Sequence, residues 1–189
     1  MIAINKKTIL SDLHDRIEVV KNNIQPFLKL QPQQLHWKPA PDKWSIAEIF
    51  EHVNITHAIY LKYINTALTD APIQARETFK SNLLGKWAYD IIMPRQDGSV
   101  FKLRAPKFLH ADTIQLDGQQ VLSSFMKQLE DFDHILELAR YVDLQKIKIP
   151  FSFTKILKLR LGDNLRFIVA HNERHLLQAQ KVLAILPTG

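Results

Sequence analysis

Residues 161–178 read LGDNLRFIVAHNERHLLQ, and this stretch places two histidines on one face of a predicted helix. His171 and His175 are four residues apart, so their imidazoles project from the same side of the helix. They belong to a line with steps of three or four residues that starts and ends apolar: Ile168, His171, His175, Gln178 and Val182. Because such a line faces the protein interior, we expect both histidines to point inward. A shared metal ion would give each buried imidazole the partner that it needs.

Four amphipathic segments predict helices near residues 6–25, 45–68, 117–141 and 163–185. Ser45 followed by Glu48 is the capping-box pattern that opens a helix. Asp163 is the predicted cap of the last helix. These segments predict an all-α fold, a four-helix bundle formed by one domain over residues 1–189.

The connections between the helices differ in length. Pro32, Pro39 and Pro41 predict a linker without regular helix before the second segment. Residues 71–116 predict a long crossover with one short helix near residues 87–92. Because antiparallel neighbours need only a short loop, the crossover indicates that the second and third helices run in the same direction, in an up-down-down-up bundle. The chain shows no clear alternating strand.

Composition limits the function classes. The 189 residues are 46% hydrophobic, but no apolar run approaches the roughly 20 residues that span a bilayer. The N-terminus lacks the pattern of a signal peptide, so we expect a cytoplasmic protein with no membrane partner. Because the chain has no cysteine, it offers no thiolate ligand or cysteine nucleophile, and any thiol must come from outside.

The formal charge of +6 raises the question of an anionic partner. The densest basic stretch, residues 146–166, interleaves its Lys and Arg residues with Ile, Leu and Phe. That pattern is typical of an amphipathic segment with a solvated face. The alternatives are an anionic small molecule and, behind it, a nucleic acid, which we do not expect.

The second helix offers a further ligand, because His52 and His57 lie on two adjacent apolar lines. Periodicity does not choose between them, and either could be a core histidine. Asn172 occupies the position of the glutamate in an HExxH motif, which excludes a peptidase of that type.

Two motifs resemble one family. The segment Lys43–Val53, KWSIAEIFEHV, resembles the DinB-like/YfiT-like metalloenzyme superfamily, in which a Trp-Ser opening precedes a helix whose histidine follows the tryptophan by eight residues. Residues 171–178 resemble the HxxxHxxQ pattern of that family's final helix. The resemblance implies metal ligation by His52, His171 and His175, with water completing the coordination.

The resemblance also implies a function. Three neutral imidazoles leave the charge of a divalent ion uncompensated and a position open, so a bound water or thiol is activated. We expect a transferase or hydrolase that acts on a small-molecule substrate, with Zn, Ni, Fe or Mn as the metal and a low-molecular-weight thiol as a candidate co-substrate. Glu51 and Gln178 are candidates for orienting the ligands. The alternative is a non-catalytic metal- or ligand-binding bundle protein associated with stress, and a homodimer stays open.

Overall fold

A computed structural model describes residues 2–73, 76–95, 97, 99–101, 106–111, 116–151 and 154–187. Within these residues, long helices dominate and two short antiparallel strand pairs accompany them. The elements in chain order are β1 (Ile4–Asn5), α1 (Lys6–Asn23), α2 (Gln25–Leu28), α3 (Pro32–His36), α4 (Ile46–Thr69), β2 (Thr78–Phe79), α5 (Leu83–Ile92), a 3-10 turn (Lys107–Leu109), α6 (Gly118–Ala139), β3 (Lys148–Phe151), β4 (Thr154–Arg160) and α7 (Leu161–Leu183). None of the helices in the described ranges combines the length and apolarity needed to cross a membrane.

Local capping signals place the starts of the long helices. At α4 the Glu48 amide donates to Ser45 Oγ at 3.3 Å, and the Glu48 carboxylate accepts from the Ser45 amide at 2.7 Å. Asp117 caps α6 by accepting from the amides of Gln119 and Gln120. Because these side chains satisfy amides that a helix leaves free, the predicted starts of α4 and α6 are confirmed.

The start of α7 differs from the prediction. The helix begins at Leu161, and Asp163 is a buried residue of its first turn, where it accepts from the Ser81 hydroxyl. The amides of Leu161 and Gly162 donate instead to the carbonyls of Ile147 and Leu144, at 2.9 and 3.1 Å. Because the preceding backbone satisfies these amides, α7 needs no side-chain cap.

Although the sequence shows no clear alternating strand, residues 148–151 and 154–160 form two strands. There β3 and β4 pair antiparallel, with Ile149 opposite Leu159 and Lys148 opposite Arg160. Ile149 and Leu159 are fully buried, whereas Lys148 and Lys158 are exposed. Part of the basic stretch therefore forms an antiparallel strand pair, and α7 follows β4 directly.

The linker before α4 also contains more helix than its prolines predicted. Pro32 is the first residue of α3, where the missing amide costs nothing because the first helical amides have no partner within the helix. Gln31 and Gln34 complete this turn, since the Gln31 amide donates to Gln34 Oε1 at 2.9 Å.

Ring contacts show that α4 and α6 run in the same direction. Phe50 packs against Phe125 with ring centroids 5.0 Å apart, and seven residues later His57 faces Phe132 at 6.5 Å. Seven residues further towards the C-terminus on α4, the contacting residue on α6 is also seven residues further on. The parallel pair is the one that the long crossover predicted.

The other pairs complete the up-down-down-up bundle. Between α1 and α6, Lys6 donates to the carbonyl of Arg140, and His14 lies 3.1 Å from Asp133, so these helices are antiparallel. Between α4 and α7, the later residue of α4, Tyr60, meets the earlier residue of α7, Phe167, with ring centroids 5.9 Å apart. The antiparallel pair α4 and α7 carries the candidate site.

Candidate metal centre

Three buried histidines meet between α4 and α7. The ring centroids of His171 and His175 are 4.4 Å apart, and that of His52 lies 5.3 Å from the first and 4.8 Å from the second. Their exposed fractions are 4% for His52, 3% for His171 and 6% for His175. One ring nitrogen of each lies within 4.8 Å of the others. The spacing of four residues on α7 thus places both imidazoles on the side that faces α4.

His57 occupies a different part of the core. It is 1% exposed, but its ring lies 6.1 Å from that of Phe125 and 6.5 Å from that of Phe132, both on α6. Neither ring nitrogen has hydrogen-bond geometry with a described residue, although the Asn172 amide is near enough to favour the protonated ring. Burial nonetheless lowers the pKa of His57 to about 4. Of the two histidines on α4, His52 is the one that joins the pair on α7.

Hydrogen bonds fix the tautomers of two rings. His52 Nδ1 lies 2.8 Å from the Leu109 carbonyl oxygen, and His175 Nδ1 lies 3.0 Å from Gln178 Oε1. Both partners are acceptors, so each Nδ1 carries the proton and each Nε2 keeps its lone pair. This is the arrangement in which a metal-bound imidazole is held by its other nitrogen.

The three rings are neutral at pH 7. Burial lowers the pKa of His52 below its usual range. Burial also lowers the pKa values of His171 and His175 well below that range. The close spacing of the histidines adds to the effect, because a proton on one ring would repel a proton on the next. A neutral imidazole is the form that binds a metal ion, so the group needs no loss of protons at neutral pH.

The donor set fits a divalent ion. Nitrogen ligands bind zinc at about 2.0–2.1 Å, so two ligands of one ion stand at most about 4 Å apart. The ligand atoms of the three rings lie within 4.8 Å of one another, which is less than about 1 Å from this separation. His171 Nδ1 is buried without a hydrogen-bond partner among the described residues, which is costly unless the ring has another use.

Aromatic and apolar groups surround the histidines. The Trp44 ring lies 5.0 Å from that of His52 and 5.6 Å from that of His110. Trp44 and Gln178 also line a cavity of about 270 Å³, together with Lys43 and Lys181. The cavity is therefore lined by the two residues that contact His52 and His175.

The two residues suggested as orienting groups lie in different places. Gln178 contacts His175 directly. Glu51 accepts from the Asn54 side-chain amide at 3.2 Å. Two further neighbours of the histidines, the Leu109 carbonyl and Arg174, were not predicted from the sequence. The step of three residues from His171 to Arg174 was the available signal for the latter.

A second group of ligand-type side chains is held by a cation of the protein itself. His14, Glu18 and Asp133 come together on the surface. The Lys21 ammonium donates to both carboxylates. Because the Lys21 ammonium already pairs with both carboxylates, this group is an ion-pair network.

The structure and the site define a class of protein, a four-helix bundle of up-down-down-up topology with three buried histidines between its second and fourth long helices. The model of the DinB superfamily matches residues 17–179. The chain belongs to this superfamily. No curated protein matches the chain.

A solved structure with the same fold is YfiT from Bacillus subtilis. It aligns with a TM-score of 0.55 and 14% sequence identity, over 95% of this chain and 86% of the YfiT chain. That protein is described as a probable metal-dependent hydrolase with an unusual four-helix bundle topology. At this identity the likeness shows a common fold.

Proposed function

We propose that this chain is a metal-dependent enzyme whose divalent ion is held by His52, His171 and His175. The observation that carries the proposal is the composition of the site, three buried imidazoles that are all neutral at pH 7. Three protein ligands are typical of catalytic sites, because structural sites fill all four positions with side chains. The description of YfiT as a probable metal-dependent hydrolase supports the same class.

The residues around the histidines support this chemistry. A divalent ion at this centre would lower the pKa of a bound water or thiol, since neutral ligands leave the ionic charge uncompensated. The Leu109 carbonyl and Gln178 hold the rings of His52 and His175 in position. Trp44 packs over His52 and lines the neighbouring cavity, where it limits the access of bulk water.

The reaction class follows from the nucleophile. Water as the nucleophile makes the protein a hydrolase, and a low-molecular-weight thiol makes it a transferase. A thiol must be a co-substrate, because the chain has no cysteine. Imidazole ligands suit Zn, Ni, Fe or Mn.

Metal content tests the first half of the proposal. Protein purified without a histidine tag should contain close to one divalent ion per chain by elemental analysis, and His52→Ala should contain far less. His14→Ala is the matched control, because His14 is half exposed and pairs with Asp133 on the surface. Equal metal content in the wild type and His52→Ala would refute the assignment of metal binding to the three histidines.

Catalysis tests the second half. The rate of transfer of a panel of small thiols to a chlorinated nitrobenzene, and the rate of hydrolysis of simple esters and amides, should be measured with metal-loaded, chelated and His52→Ala protein. Metal-loaded wild type should exceed the other two in one of these reactions. If all three preparations match the uncatalysed rate throughout, the chain is a metal-binding protein without this activity.

A further inference from the structure

Arg174 is a buried cation that forms no ion pair within the described part of the chain. Its exposed fraction is 8%. The Nη2 atom donates to the Phe101 carbonyl at 2.6 Å. The Nη1 atom is buried and has no hydrogen-bond partner among the described residues. One half of the guanidinium therefore keeps its donors unused.

The acids next to Arg174 and next to His52 in the sequence are engaged elsewhere. Glu173 binds Arg16 with both carboxylate oxygens, at 2.7 Å each. Glu51, beside His52 on α4, accepts from Asn54. The charge of Arg174 is thus not compensated by either of these carboxylates.

Arg174 shares a helix face with the candidate ligands. At about 100° per residue, Arg174 and His175 lie on either side of His171 when α7 is viewed down its axis. The guanidinium therefore lies on the side of α7 that carries the two candidate ligands of this helix.

A buried charge without a partner is strongly unfavourable. Removing one member of a buried ion pair is destabilising for the same reason, because the other charge is left uncompensated. A divalent ion on the three histidines would add two further positive charges to the same region. A negatively charged ligand would offset the charge of Arg174 and the charge of the ion. The planar guanidinium is suited to bind the oxygens of a carboxylate or phosphate.

We propose that Arg174 is a specificity-determining residue that binds the anionic oxygens of a small substrate at the three-histidine centre. That the bound molecule is a substrate rests on the proposed function, whereas anion binding by Arg174 can be tested separately. Substrates of this site carry a carboxylate or a phosphate group, which Arg174 holds while the reacting atom lies at the metal.

Calorimetric titration tests the inference with acetate, inorganic phosphate and acetamide as probes. Acetamide has the shape of acetate without its charge. Metal-loaded wild type should bind acetate or phosphate at least about tenfold more tightly than acetamide, as expected for a hydrogen bond between charged groups. Arg174→Gln should bind these anions at least about tenfold more weakly than the wild type and keep the wild-type metal content. Whichever of acetate and phosphate binds more tightly identifies the anionic group of the substrate as a carboxylate or a phosphate.

Arg166→Gln is the matched control. It removes the same side chain from the same helix, but Arg166 lies over the Tyr89 ring, with 4.1 Å between the guanidinium carbon and the ring centroid. This variant should bind the anions like the wild type. If Arg174→Gln binds them as tightly as Arg166→Gln does, the inference is overturned.

Two further measurements separate the remaining outcomes. Arg174→Lys keeps the charge but not the planar fork, so it should bind with intermediate affinity, which provides a test if the glutamine variant does not fold. A wild type that shows no preference for either anion over acetamide overturns the inference without any variant. If the wild type holds no metal, the proposed function fails, while anion titration of the metal-free protein still tests Arg174.

Discussion

Gln178 Oε1 lies 3.0 Å from His175 Nδ1, one turn further along α7. The contact places the proton on Nδ1 and leaves the lone pair of Nε2 for a metal ion. Loss of such an orienting partner typically lowers metal affinity by about 10–100-fold. We therefore expect Gln178→Leu to weaken metal binding within this range, measured by competition with a chelator. Gln180→Leu, whose amide contacts Asn23 at 3.4 Å, should bind metal like the wild type; equal losses in both variants would contradict the role of Gln178.

Removing a ligand should remove the metal before it removes the fold. His171→Ala or His175→Ala deletes one of three candidate ligands and leaves the apolar core of the bundle intact. Both variants should lose most bound metal by elemental analysis while circular dichroism remains helical. His134→Ala, an exposed histidine on α6, should keep the metal. Full metal content in either ligand variant would refute the assignment.

Acid should destabilise the fold through His57. Its folded pKa of about 4 is below the usual value of 6.5, because burial disfavours the charged ring. As the pH falls, His57 is protonated first in the unfolded chain, which lowers the free energy of unfolding. The stabilisation is therefore fully present above pH 6.5 and is lost progressively between pH 6.5 and about pH 4. One pH unit corresponds to about 1.4 kcal/mol, so the loss reaches about 3 kcal/mol.

The variant His57→Leu isolates this contribution. Leucine fits an apolar site beside Phe125 and Phe132 and cannot be protonated. Urea unfolding at pH 8 and pH 5 should show a smaller loss of stability in the variant than in the wild type. Identical losses would mean that His57 does not titrate with a lowered pKa.

Gly85 should not tolerate a side chain. A Cβ atom at this position of α5 would lie 2.0 Å from Cγ of Asp163. Alanine favours helix over glycine by about 1 kcal/mol, but overpacking costs about 1–3 kcal/mol. We expect Gly85→Ala to lower the free energy of unfolding. In an Asp163→Ala background the same change should stabilise α5, and a double-mutant cycle without coupling would contradict the close contact.

The helix boundaries were predictable where the signal is local. Ser45 and Glu48 contact each other within a single turn, so their spacing in the sequence is enough to place the start of α4. At α7 the predicted cap failed, because the amides of Leu161 and Gly162 are satisfied by the preceding backbone. That pairing depends on the β3 and β4 hairpin, whose few residues gave no clear alternation.

The choice between His52 and His57 shows the limit of periodicity. Both side chains are buried, so a hydrophobic pattern assigns each of them to the interior. What separates them is the neighbouring helix, α7 for His52 and α6 for His57. The family resemblance, and not the spacing, pointed to His52. The Leu109 carbonyl could not be found in this way, because a backbone acceptor has no signature in the sequence.

The distribution of the three histidines along the chain orders the assembly of the site during synthesis. Chains fold from the N-terminus as they leave the ribosome, so His52 is made long before His171 and His175. The nascent bundle thus has one of the three candidate ligands, and the group is incomplete until α7 has been added and has packed against α4. At this candidate site an incomplete chain therefore offers only His52, and the full donor set exists only once the last long helix has docked.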